Sequence, residues 1–174
     1  MAGTGIKDMM GINKANFSTV EKDLRDITTR FLSNETLMKL LYFNTPDCLS
    51  NESYALTPDI MREVAQKNIR TIPSLEIPDN KSSFLIVTFD RFMPNQTNSE
   101  FMDNMVLIDV LCPVDAWTME SYMMRPFHIM HEVQNELDNK TLNGIGKVYF
   151  MGSDVLNLGE YVGYKMAFSV INDA

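Results

Sequence analysis

The chain reads as an α+β protein: an antiparallel four-stranded sheet in the order β-β-α-β-β with one packed helix, preceded by an N-terminal helical segment. Three patterns predict this. Between Val20 and Leu41, apolar residues recur three and four apart, the period of a helix with one buried stripe. From Ser83 onward the pattern changes to short apolar runs bounded by turn residues, the mark of strands. Between two pairs of such runs lies one amphipathic stretch, residues 122–139, with Met130, Val133 and Leu137 on a single face. An antiparallel sheet buries that stripe, and the N-terminal helices cover what remains. The expected organisation is a flexible or partner-ordered arm over 1–16 and one domain over 17–174, helical over 17–70 and sheet-plus-helix over 83–172.

Residues 1–16 contain Gly, Lys and Met without a period, so they offer no face to bury and read as the arm. Ser18 and Glu21 form a Ser-x-x-Glu capping box, and Val20, Leu24, Ile27 and Phe31 continue as one stripe. Ser33-Asn34 interrupts the helix. Leu37, Leu40 and Leu41 resume it as far as Asn44-Thr45-Pro46, where proline blocks continuation. After a loop over 45–56, Thr57-Pro58-Asp59 opens a short helix: a hydroxyl to cap, a ring that presets φ, and an acid at the positive end of the dipole. Ile60, Met61 and Val64 are its expected buried side. Pro73, Pro78 and Asp79-Asn80 keep 71–82 extended and looped. SFLIVTFD (83–90) and NMVLIDVLCP (104–113) are strands apolar enough for both faces to be covered, joined by a polar connection over 91–103. In the helix that follows, Pro126 lies near the start, and Phe127 and Ile129 flank the stripe. Asn143-Gly144 is a turn, KVYFM (147–151) a third strand, and Asn157-Leu158-Gly159 the next hairpin connection. Residues 161–171 alternate. Val162, Tyr164, Met166, Phe168 and Val170 point to the core, and Tyr161, Gly163, Lys165, Ala167 and Ser169 to water or a partner.

Composition excludes several classes. The 174 residues suffice for a core without staples, and a hydrophobic content of 45% argues against wholesale disorder. Fifteen Lys plus Arg stand against 23 Asp plus Glu, a net charge of −8, which opposes gripping nucleic acid by its phosphates or docking on an anionic membrane. Cys48 and Cys112 make no Cys-x-x-Cys and no disulfide framework, and read as buried thiols of a reducing cytoplasm. There is no signal-peptide pattern, and no apolar run approaches the ~20 residues of a membrane helix.

The chemistry-bearing candidates are few. His128, His131 and Glu132 fall in RPFHIMHEV, where helical spacing brings them near one face, the ligand set that a metal-dependent hydrolase would need. Zinc takes three or four ligands, and this spacing matches neither His-Glu-x-x-His nor His-x-x-Glu-His. His131 lies about 100° around the helix from Met130, on the flank of the core face, with Glu132 further toward solvent. The pair therefore reads as flank or interface residues. Gly144-Ile145-Gly146 lacks a third glycine and precedes a strand, the wrong setting for a dinucleotide. Asp90 and Asp109 are placed to face each other across the first hairpin, with no nucleophile or metal beside them. No enzyme, cofactor or metal is expected.

The order FLIVTFDRF, DNMVLIDVLCPVDAW, RPFHIMHEVQNEL, LNGIGKVYFMGSDVL and GYKMAFSVI resembles the small tail-terminator, tail-completion and neck proteins of tailed bacteriophages. The strand ending in Ile108-Asp109-Val110 before a Trp-bearing loop carries the resemblance, with the Arg125-Pro126-Phe127 helix start, Leu142-Asn143-Gly144-Ile145-Gly146 and the long last strand. It implies a non-enzymatic virion part, made in the host cytoplasm. Such a part forms a hexameric or dodecameric ring at the neck or tail junction, against other neck, tail or portal proteins. DNA passes through its lumen without specific binding, and no membrane is involved. The helical portion 17–70 exceeds what a minimal terminator needs, which leaves stopper, adaptor and collar positions open. A closed ring requires two different sticky surfaces per subunit. The candidates are the arm with Met9 and Met10, the connection 91–103 with Phe92 and Phe101, the loop 113–121 with Trp117, and the second face of the last strand with Tyr161 and Lys165. The alternative is an adaptor that takes a peptide along an exposed strand edge.

Overall fold

The computed structural model describes residues 17–72, 74, 81–94, 102–142 and 146–171, with side chains from residue 20 and excluding those of 91–94, 102, 103 and 171. The arm with Met9 and Met10, Phe101, the Asn143-Gly144 turn and the side chain of Phe92 lie outside the described residues.

Helix α1 (Phe17–Ser33) ends at Asn34, and the reason is chemical. The Asn34 Oδ1 accepts the Leu37 N–H at 2.9 Å and so caps α2 (Glu35–Tyr42). Its Nδ2 donates to the carboxylates of Glu132 and Glu136, both at 2.9 Å. One residue thus breaks the helix, restarts it and ties the joint to α4 (Arg125–Leu137). Helix α3 (Pro58–Glu63) begins at Thr57, whose hydroxyl accepts the Ile60 N–H at 3.3 Å, and runs on into one π-helical turn, Val64–Asn68. Val64 is buried there, but Met61 is exposed, contrary to expectation.

The strands are β1 (Ile69–Arg70), β2 (Phe84–Pro94), β3 (Met102–Pro113), β4 (Thr141–Leu142), β5 (Gly146–Leu158) and β6 (Tyr161–Ile171). They form one sheet in the order β1-β2-β3-β6-β5-β4, in which β1 is parallel to β2 and every other pair is antiparallel. The expected antiparallel four-stranded sheet with one packed helix is therefore wrong. The sheet is six-stranded and mixed, curves into a half-barrel, and stands with four α-helices among the described residues. The unforeseen strands β1 and β4 are two residues long, too short for alternation to mark them. Strands β2 and β3 also extend into 91–103, leaving 95–101 between them.

Both faces of the sheet are covered at one end, which changes the reading of β6. On the helix face, Leu85, Val87, Val106, Ile108, Val110, Met166, Phe168 and Val170 join Ile27, Phe31, Leu37, Leu40 and Leu41 of α1 and α2 and Ile129, Val133 and Leu137 of α4. On the other face a smaller cluster holds Phe84, Ile86, Leu111 and Tyr161, with Leu156 beside it. Tyr161, expected toward water, is 3% exposed, its ring centroid 5.3 Å from that of Phe84. The α4 stripe keeps Val133 and Leu137 but takes Ile129 in place of Met130, which is only partly buried, and Phe127 is exposed.

Candidate interaction surface

Arg125 is the largest fully buried side chain among the described residues. Its Nε donates to the Ala116 carbonyl at 2.7 Å, its Nη1 to those of Leu40 at 2.9 Å and Phe43 at 2.6 Å, and its Nη2 to that of Thr45 at 2.8 Å. The Cys48 thiol lies 3.6 Å from Nη1. Leu40 and Phe43 are at the C-terminal end of α2, where carbonyls lack helical partners and the dipole favours a cation. The guanidinium thus ties the segment after β3 to the end of α2.

That segment, residues 114–124, is closely hydrogen-bonded. The Met119 N–H donates to the Met123 carbonyl at 2.7 Å, the Glu120 N–H to the Pro46 carbonyl at 3.1 Å, and the Ser50 hydroxyl to the Glu120 carboxylate at 2.6 Å. Thr118 and Met124 form an isolated antiparallel bridge. Within this frame Ser121 and Tyr122 both have φ of 59°, a left-handed conformation that costs an L side chain roughly 1–2 kcal/mol. Tyr122 is 92% exposed. A strained backbone held by its surroundings and displaying an aromatic ring is the kind of feature that clusters at binding sites.

Apolar exposure continues from this loop across the molecule. Met123, Met124 and Phe127 follow Tyr122, and the Phe127 ring lies 5.3 Å from that of Tyr164. Tyr164 pairs with Val155 of β5, which is 68% exposed, and Met151 and Leu158 of the same strand are exposed too. Among the described residues the outer edge of β5 is open past Phe150. Strand β4 pairs with it at Gly146 and Lys147, and the Val148 and Phe150 N–H groups reach the Lys140 carbonyl and the Asp138 carboxylate, both at 2.9 Å. Beyond Phe150 no described strand lies against it. Residues 151–158 (MGSDVLNL) hold one charge, Asp154, and neither Lys nor Pro, the residues that usually blunt an edge.

The residues singled out from the sequence fall elsewhere. Trp117 is half-buried against the main core. Tyr161 is a packing residue of the second cluster, and burial pushes its phenol up to about 12. Lys165 lies 3.6 Å from the Asp109 carboxylate, which burial raises above its usual range against the pull of that lysine. Asp90 does not face Asp109: it pairs with Met105, whereas Asp109 pairs with Ile86. His131 is exposed beside Asn135 at 3.1 Å, and Glu132, expected toward solvent, braces Asn34. Among the described residues no group of three or more His, Cys, Asp or Glu is placed to hold a metal ion, and no helix is long and apolar enough to cross a membrane. Both cysteines are free and buried; burial holds Cys112 at about 12. Sequence reasoning missed Arg125 and Tyr122. The signal the sequence offers is the density of bulky apolar residues in SYMMRPF, which a helical pattern over 122–139 also accounts for.

No curated protein and no solved structure matches the chain. A family model, YomW, matches residues 34–170, from the joint that caps α2 to the end of β6, and so includes Arg125, the strained loop and the open edge of β5. The chain belongs to the YomW family, a Bacillus phage-type protein family, and is a phage-related protein.

Proposed function

We propose that the protein is a structural subunit of a phage particle, non-enzymatic, that assembles with copies of itself into a ring at the neck or tail junction and leaves a channel for DNA. The observation that carries this reading is the band of exposed apolar side chains, from Tyr122 through Phe127 to Val155, lying beside a strand edge that no described strand covers. Contiguous exposed apolar surface of this kind marks protein contacts. Its support by a braced loop and a stiff sheet reduces the ordering cost of binding. The phage family gives the setting, and a net charge of −8 suits a passage that must not hold phosphates. The open edge also fits the adaptor alternative, in which a peptide adds as a strand. Mass spectrometry of purified particles, with negative-stain microscopy of the purified protein, separates the two. The ring reading expects the chain among the virion proteins at a copy number in the range of one ring, and annular particles in the images. Absence from virions would discard it.

A further inference from the structure

We infer that two copies of this chain join through the outer edge of β5, antiparallel about a two-fold axis at Val155, so that their sheets run on as one. This goes beyond the ring reading. A two-fold contact is used once by each copy and makes a dimer, and a ring takes a second, different surface.

The register locates the free backbone. Val148 and Phe150 donate away from β6, and their partners in β6 are Val170 and Phe168. Strand β6 runs unbroken past the β5 bulge at Phe150/Gly152, and antiparallel partners alternate between bonding across the pair and facing away. Met166, Tyr164 and Val162 therefore belong to the same class as Phe168, and their β5 partners Ser153, Val155 and Asn157 present N–H and C=O outward. Met151, Ser153, Asp154, Val155, Asn157 and Leu158 are all exposed, so this stretch meets solvent on both of its faces.

One register of self-pairing uses all of that backbone. Centred on Val155, it sets Val155 against the second copy's Val155, and Ser153 against the second copy's Asn157, each as a hydrogen-bonded pair. Asp154 then lies opposite the second copy's Leu156 and keeps Lys165 of its own β6 beside it. Other centres do worse. At Ser153, Asn157 would meet the stretch where Lys140 and Asp138 already hold the Val148 and Phe150 N–H groups. At Asp154, two carboxylates would stand directly opposite, a destabilising pair. At Leu156 or Asn157, Ser153 would face residues beyond Leu158, where β5 ends.

The side chains select a second copy as the occupant. Val155, 68% exposed, pairs with Tyr164 on one face of the sheet, and the Tyr164 ring lies 5.3 Å from that of exposed Phe127. The apolar band therefore ends on the strand edge, at Val155. A strand of any sequence can bond to the edge, but only one with an apolar side chain opposite Val155, on the same face, covers the end of the band. A second copy supplies it by symmetry, and its own band continues the first through Tyr164 to Phe127.

Cysteine cross-linking of the full chain tests this, since both native cysteines are buried. A hydrogen-bonded pair has Cα atoms about 5.5 Å apart, within the reach of a disulfide. With oxidised glutathione, Val155→Cys is expected to run as a linked dimer on non-reducing gels. Ser153→Cys and Asn157→Cys are each expected to stay unlinked alone and to link one to one when mixed. In sedimentation velocity the wild type is expected as a dimer or a multiple of one. Val155→Lys and Val155→Glu, checked for folding by circular dichroism, are expected to lose that contact singly and to regain it when mixed. A wild type that is monomeric at every concentration, Val155→Cys that stays unlinked, or Ser153→Cys that links to itself as readily overturns the pairing. Annular particles with unlinked Val155→Cys overturn it and leave the ring reading standing. Linked dimers of a chain absent from virions uphold it and discard the ring.

Discussion

A buried arginine that serves carbonyls instead of a carboxylate cannot be exchanged for another cation. The Arg125 fork reaches Ala116, Leu40, Phe43 and Thr45 in different directions, whereas an ammonium is a point donor on a different stem. Arg125→Lys and Arg125→Ala are both expected to lower stability by about 3–5 kcal/mol, the range for breaking a buried charged network, measured by urea unfolding. Gly163→Ala is more severe. A Cβ there would lie 1.8 Å from the Val110 carbonyl oxygen, a backbone atom held in the neighbouring strand, so the variant is expected to give no soluble folded protein. At Asp109 burial raises the folded-state pKa, so the fold favours the protonated acid. Its contribution is therefore full at low pH and lost as pH rises through the folded pKa. Asp109→Asn mimics the protonated form, and the stability of the variant relative to wild type is expected to grow from acid toward neutral pH in parallel denaturation series. None of these three roles was legible in the sequence. Arg125 read as part of a helix start, because charged residues are usually outside. Gly163 read as part of a face toward water or a partner, and Asp109 as the partner of Asp90 across the first hairpin, because alternation cannot show which residue of a neighbouring strand lies opposite.

At the scale of elements, the sequence was most informative where local chemistry decides. Asn34 breaks and caps, Thr57-Pro58 starts α3, and Gly159 makes the final turn with φ of 75°. It was least informative where a partner strand decides. The bulges at Asp90/Phe92 and Phe150/Gly152 reset which residues face the helices, so the run KVYFM could not announce that its strand continues to Leu158. The loop 114–124 gave no sign of its left-handed pair, since neither Ser121 nor Tyr122 is a residue that favours that conformation. Ser121→Gly relieves the strain and is expected to leave stability unchanged or raise it by about 1 kcal/mol, read from the melting curve. Tyr122→Ala in the same assay should not shift the melting of an isolated subunit, because the ring is 92% exposed. A marked loss would mean that the ring supports the fold and is not free to bind.

For the whole molecule, one core spans both halves: Ile27, Phe31 and Leu37 of the helical portion share a cluster with Val106, Phe168 and Val170 of the sheet. The division into helical and sheet-plus-helix portions therefore describes the order of the sequence and not two cooperative units. Unfolding followed by helical circular dichroism and by fluorescence of the single tryptophan, Trp117, is expected to give coincident transitions. An earlier loss of helix would show α1 and α2 melting on their own. The strand order β1-β2-β3-β6-β5-β4 was beyond a linear reading for the same reason, since it is set by contacts between distant residues. The Arg125 fork carries that remoteness into the history of each molecule. It lies 85 residues after Leu40 and 80 after Thr45. A ribosome adding roughly 5–20 residues per second delivers α1 and α2 several seconds before the guanidinium that will hold them. Until β2 and β3 are made, Ile27, Phe31, Leu37 and Leu40 have no strand to cover them, and until Arg125 is made the carbonyls at the end of α2 are left to water. The first helices made thus wait for residues far along the chain before they are secured, and the nascent chain passes through a stage in which its N-terminal third is open to chaperones and proteases.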